Sequence, residues 1–224
     1  MLHVERMRGY VVLAMLAAGC VGPAPSGGNQ AVDAGTTSDS NHPGDGAVAG
    51  ACPLPGTTAD TGTLTATAAQ RCTVPGSMGQ AHWFRLATTL PSGAMDYIQL
   101  ELWDNTGAFA GTTVHTGTFQ ITGVETDYQT CGVCVRGLGD KGSTGQKEYF
   151  ATSGTVTVTA VGAGGTPISA TVSNIGFVEI DATMHKPVAG GCTANVARAQ
   201  VDGTVTDVGG NGGGGGQCPA GVGD

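Results

Sequence analysis

The 224-residue sequence is poor in aromatics, at 5%, and in charge, at 12% against a usual ~25%. Its 9 Lys plus Arg against 17 Asp plus Glu leave a net charge of −8. That balance excludes the basic face that a nucleic-acid binder needs. Heptads and a Gly-X-Y period are both missing, which excludes a coiled coil and a collagen helix. No apolar run reaches the ~18 residues that a spanning helix requires. There is no G-x-S-x-G elbow, no P-loop, no second C-x-x-C and no H-x₃₋₅-H. Of the 5 histidines, none stands in a metalloprotease spacing. His82, before Trp83 and Phe84, reads as a strand residue. No catalytic residue, metal site or cofactor is expected from these patterns.

What is present begins with an export signal. Arg6 and Arg8 precede a short apolar run, Tyr10 to Ala18, and small residues follow at Gly19 and Cys20. Leu16-Ala17-Ala18-Gly19-Cys20 resembles a bacterial lipobox, with Leu16 one step earlier than is usual. The resemblance implies cleavage after residue 19, lipid on Cys20 and attachment to a membrane surface. An ordinary secretory signal with a chance cysteine is the plainer alternative. Val21 follows Cys20 where an aspartate would resemble an inner-membrane retention signal, so the outer membrane or cell surface is the expected location.

Residues 20–51 are Gly, Pro, Ser, Thr, Asp, Asn and Ala with few branched apolar residues. They cannot bury enough surface to offset their chain entropy, so a disordered tether is expected. Gly209 to Gly216 opens a second such segment, the Gly-rich tail 209–224. One folded domain is left, over residues 52–208.

In that domain the dominant signal is alternation. Thr155-Val156-Thr157-Val158-Thr159 and Ile98-Gln99-Leu100-Glu101-Leu102 have period two. Thirty threonines support strands, because a β-branched side chain suits a pleated surface. Strand-like segments also run over 62–68, 82–88, 112–115, 117–122, 128–136, 148–152, 167–172, 175–181 and 193–201. Short strands with turn residues between them predict an all-β fold, an antiparallel sandwich with a barrel as alternative. Gly62, Gly117, Gly154 and Gly203 each precede a Thr–apolar alternation and read as strand openers.

The chain has 7 cysteines. With Cys20 given to lipid, Cys52, Cys72, Cys131, Cys134, Cys192 and Cys218 remain, an even number that suits disulfides in an exported protein. Cys131 and Cys134 can close locally across Gly132. Cys52 and Cys72 flank the first expected strand, and their pairing would clamp it. Cys192 and Cys218 would then tie the tail back. Cys131-Gly132-Val133-Cys134 could instead be a thiol-disulfide exchange site, although the Val135-Arg136-Gly137 that follows makes a poor helix.

Three further features suggest surface chemistry. With Ile98, Leu100, Leu102, Phe84 and Leu86 facing the core, Tyr97, Trp103 and Trp83 face the other way and could form a platform for a surface glycan or protein. Covering a core edge is the alternative. Asp104-Asn105-Thr106-Gly107 reads as a turn, with too few carboxylates for Ca²⁺. Glu125 with Asp127, and Glu179 with Asp181, read as solvated pairs on strand faces.

The stretches Tyr128–Val135, Tyr149–Val156, Phe177–Ile180 and Pro187–Cys192 are similar to surface lipoproteins of myxobacteria, over roughly Leu100 to Cys192. That resemblance implies a surface location and brings no catalytic residues with it. The expectation is an exported, lipid-anchored β-domain with a non-catalytic binding or structural role. A carbohydrate-binding or adhesive module is one alternative. A thiol-disulfide enzyme is the other.

Overall fold

Alternating Thr and apolar residues place one row of side chains on each face of a strand, and one face must then find cover. In the computed structural model, which describes residues 52–76, 79–92 and 95–208, that requirement gives an all-β fold. The expected signal 1–19, tether 20–51 and tail 209–224 lie outside the described residues, and Cys20 and Cys218 with them. The strands are β1 (Thr58–Thr65), β2 (Ala68–Gly76), β3 (Gly79–Thr89), β4 (Tyr97–Trp103) and β5 (Gly117–Gln120). Then come β6 (Val133–Gly139), β7 (Lys147–Ala160), β8 (Pro167–Ile180), β9 (Thr193–Thr204) and β10 (Thr206–Val208). Among the described residues, helical structure is confined to two 3₁₀ turns, Gly107–Phe109 and Gly123–Thr126.

All strands join one sheet in the order β1-β9-β8-β7-β6-β4-β3-β2-β10, with β5 added beside β7. The sheet is mixed, where a purely antiparallel one was expected. β1 pairs in parallel with β9, and β10 in parallel with β2. The reason lies in continuity. β1 runs almost directly into β2 and β9 into β10, so two long strands lie side by side, from Thr58 opposite Val196 to Cys72 opposite Val208. The Ala66 amide donates to the Asp202 carbonyl at 2.8 Å between these stretches. β10 thereby returns to β2, at the far end of the order from β9, and the sheet curls.

The glycine openers need correction. Of the four, Gly117 alone begins a strand, and Gly203 lies near the end of β9. Gly62 lies inside β1 at φ 67° and Gly154 inside β7 at φ 123°, each at a shift of register. These are bulges, where one extra residue takes a backbone conformation that glycine tolerates. The one at Gly154 lets β7 run for 14 residues beside an equally long β8, where separate short strands were expected. The expected strand at 112–115 is loop, and β2 was not anticipated.

The sheet carries two cores. One joins Phe84, Leu86, Leu100, Val135, Tyr149 and Phe177. The second joins Trp83, Trp103, Tyr128, Cys131, Cys134 and Phe150. They lie on opposite faces of β3 and β4, as alternation demands.

Candidate functional site

Trp83 and Trp103 do point away from the first core, but they are not a platform. They are 4% and 3% exposed, and their rings pack at 5.9 Å. The segment after β5 covers them. Its Tyr128 is 1% exposed and sits edge-on to Phe150 at 5.5 Å and to His185 at 4.6 Å. Lys186 holds Asp127 at 2.9 Å, which fastens the 181–187 turn to that segment. Tyr97, half-buried at the other end of β4, carries Lys141 over its ring at 4.6 Å. Alternation reveals which face a residue takes. It does not reveal that a distant loop will cover that face.

Polar groups accompany the second core. The Glu101 carboxylate, 3% exposed, accepts from Gln99 at 2.5 Å, from the Trp83 indole at 3.3 Å and from Arg136 at 3.4 Å. Arg136 also donates to Tyr128 at 2.9 Å and to Glu148 at 2.5 Å. Burial raises the Tyr128 hydroxyl well above its ordinary pKa, and the Glu101 charge adds to this. A buried charge is tolerable only when so enclosed by partners. The cluster fixes the cover to β4 and β6, and its carboxylates and hydroxyl are engaged within it, while Arg136 Nε is buried without a hydrogen-bond partner.

Cys131 and Cys134 form a disulfide in this layer, both at 0% exposure. They precede and begin β6, with no helix N-terminus to favour a thiolate, and no sulfur is open to a partner thiol. Gly132 is required for close approach. A Cβ there would collide with the Thr106 carbonyl. Glu125 lies in a 3₁₀ turn and is 4% exposed, not on a solvated face. It accepts the amides of Ala108 at 2.6 Å, Gly132 at 2.9 Å and Val133 at 2.6 Å. Burial raises its pKa by more than these three bonds lower it.

Asp104 belongs to a turn as expected, with Asn105 at φ 60°. Its carboxylate accepts the His82 amide at 2.8 Å, the His82 Nδ1 at 2.9 Å and the Val114 amide at 2.6 Å. The structure thus brings together two residues that the sequence separates by 22 positions. They line a crevice of about 230 Å³ with Arg71, Phe84 and Val161. Arg71 is already taken by Asp207 at 2.6 Å.

The second disulfide, Cys52–Cys192, replaces both of the longer pairings expected. Parallel pairing explains it. Thr58 lies opposite Val196, so the chain leading into β1 runs beside the chain leading into β9, and the two Cα atoms come within 5.6 Å. Cys72 lies on β2, opposite Val208 and away from the start of β1, and it too is disulfide-bonded. A cleft of about 340 Å³ borders the bridge, lined by Lys147, Glu179, Val188, Gly190 and Gly191. Lys147 Nζ donates to Cys192 Sγ at 3.4 Å and to Glu179 at 2.9 Å. Glu179 also accepts the Cys192 amide at 2.8 Å. Burial would raise the Glu179 pKa, but the Cys192 amide and the Lys147 ammonium outweigh it and hold it below 4.5. No sequence pattern joins Lys147, Glu179 and Cys52, because only the sheet register brings them together.

Compared with models of known families, with curated proteins and with solved structures, the chain matches none. Among the described residues, no group of three or more His, Cys, Asp or Glu is placed to hold a metal ion.

Proposed function

We propose that the chain is an exported lipoprotein, anchored through Cys20 at the outer membrane or cell surface, whose β-domain is a non-catalytic binding or structural module. The observation that carries this reading is the state of the cysteines. Cys52, Cys72, Cys131, Cys134 and Cys192 are all disulfide-bonded, as suits an oxidising compartment. The leader and its Leu16–Cys20 segment supply the address, and acyl chains on Cys20 would supply the anchor. The resemblance to surface lipoproteins of myxobacteria points the same way. The polar clusters support the non-catalytic part, since Glu101, Arg136, Asp104 and Glu125 are each spent on holding a loop to the sheet.

Detergent-phase partitioning tests the proposal. The full chain is expressed in a Gram-negative host and extracted in a detergent that separates on warming. The expected result is wild type in the detergent phase, with acyl mass on Cys20, and Cys20→Ala in the aqueous phase. Wild type in the aqueous phase with an unmodified N-terminus would overturn it.

A further inference from the structure

We propose that Cys52–Cys192 is a thiol-exchange site, at which a thiol-bearing molecule becomes joined to Cys52. Cys52 is exposed while Cys192 is 7% exposed, so an incoming group reaches the bridge from the Cys52 side. The cleft of about 340 Å³ leaves room beside the bridge for the incoming group. The Lys147 ammonium lies 3.4 Å from Cys192 Sγ. That geometry gives each sulfur a distinct role.

The step is an ordinary exchange. An incoming thiol loses its proton to water and attacks Cys52 Sγ as the thiolate. A new S–S bond forms there, the Cys52–Cys192 bond breaks, and its electron pair stays on Cys192 as a thiolate. The number of disulfides is unchanged, so no further oxidant or reductant is needed. The leaving thiolate faces Lys147, and a stabilised leaving group departs faster. Glu179 bears the opposing charge, so it positions Lys147 and also offsets it.

The segment after Cys52 has an anchor of its own, independent of the bridge. Leu54, two residues after Cys52, is 2% exposed in the first core. Glycines make its seat, since a Cβ on Gly137 would lie 2.7 Å from Leu54 Cδ1 and one on Gly139 2.7 Å from Pro53 Cγ. The Cys131–Cys134 bridge is buried at both cysteines and offers no open sulfur. The proposal relies on the extracytoplasmic reading only for where thiols meet the domain, and its test does not involve Cys20.

The oxidised protein is incubated with reduced glutathione or, separately, with a short peptide bearing one cysteine. It is then quenched in acid, alkylated and mapped by mass spectrometry. The expected product carries the probe on Cys52 and the alkyl group on Cys192, with Cys131–Cys134 intact. Labelling by either probe sustains the site, and the ratio of the two separates small thiols from protein thiols as the source. Lys147→Gln is expected to slow labelling about fivefold, whereas Glu179→Gln speeds it. A variant that misfolds reveals itself by opening Cys131–Cys134, and Lys147→Arg then serves in its place, with a rate near wild type. Equal opening of both bridges, or a change in the same direction for Lys147→Gln and Glu179→Gln, would overturn the proposal.

Discussion

The two disulfides whose cysteines both lie among the described residues differ in almost every physical respect. Cys131–Cys134 spans a sequence separation of 3, lies at 0% exposure and is packed among aromatic rings. Cys52–Cys192 spans 140, has one exposed cysteine and borders a cleft with an ammonium beside it. The first is local in sequence and deep in structure. The second is remote in sequence and shallow in structure. Loop length governs what a cross-link removes from the unfolded chain, whereas burial governs whether anything can reach it. The longer bridge therefore contributes more to stability and is also the more vulnerable to chemistry.

The largest expected effect separates the two by stability. Replacing Cys52 and Cys192 together by Ala is expected to cost about 5 kcal/mol on the chain-entropy model, against about 1.5–2 kcal/mol of that term for Cys131 and Cys134. Denaturant unfolding of the two double variants measures the difference. Equal losses would break the comparison.

The next effects probe the buried side. Glu101→Ala leaves the Trp83 indole without its buried acceptor and removes one of three partners of Arg136, and is expected to cost about 1–3 kcal/mol. Gly132→Ala forces the Thr106 carbonyl away and is expected to cost about 1–3 kcal/mol. Both are read from urea midpoints. A neutral Gly132→Ala would mean that the loop over Cys131–Cys134 is looser than the structure has it.

The smallest effect belongs to the exposed side and depends on pH. The folded Glu179 pKa lies below the unfolded value near 4.5, so its bridge to Lys147 and Cys192 stabilises the fold above that pH. That contribution is lost as pH falls below 4.5 through the lowered folded value. Calorimetry on wild type and Glu179→Gln should show a shallower acid decline in the variant. Superimposable profiles would remove Glu179 from the account.

The sequence carried the fold class and little of its wiring. Alternation in 98–102 and 155–159 marked β4 and β7, because a half-buried strand must write its two faces into the residues. It also placed Trp83 and Trp103 correctly on the face away from Leu100. Their burial was illegible, since the covering residues, Tyr128 and His185, come from distant segments. The same distinction divides the cysteines. Cys131–Cys134 could be read from spacing alone, whereas Cys52–Cys192 follows from a parallel pairing that no local pattern announces. Gly62 and Gly154 looked like strand starts because a bulge and a turn both call for glycine. Glu125 showed no sign of its three amide partners, which depend on how its loop lies against β6.

Peptide mapping under non-reducing conditions tests the central claim most directly. Protein secreted into an oxidising compartment and digested without reductant is predicted to yield Cys52 linked to Cys192, Cys131 linked to Cys134, and Cys72 also in a linkage. A Cys52–Cys72 peptide, or free thiols at Cys52 and Cys192, would contradict it.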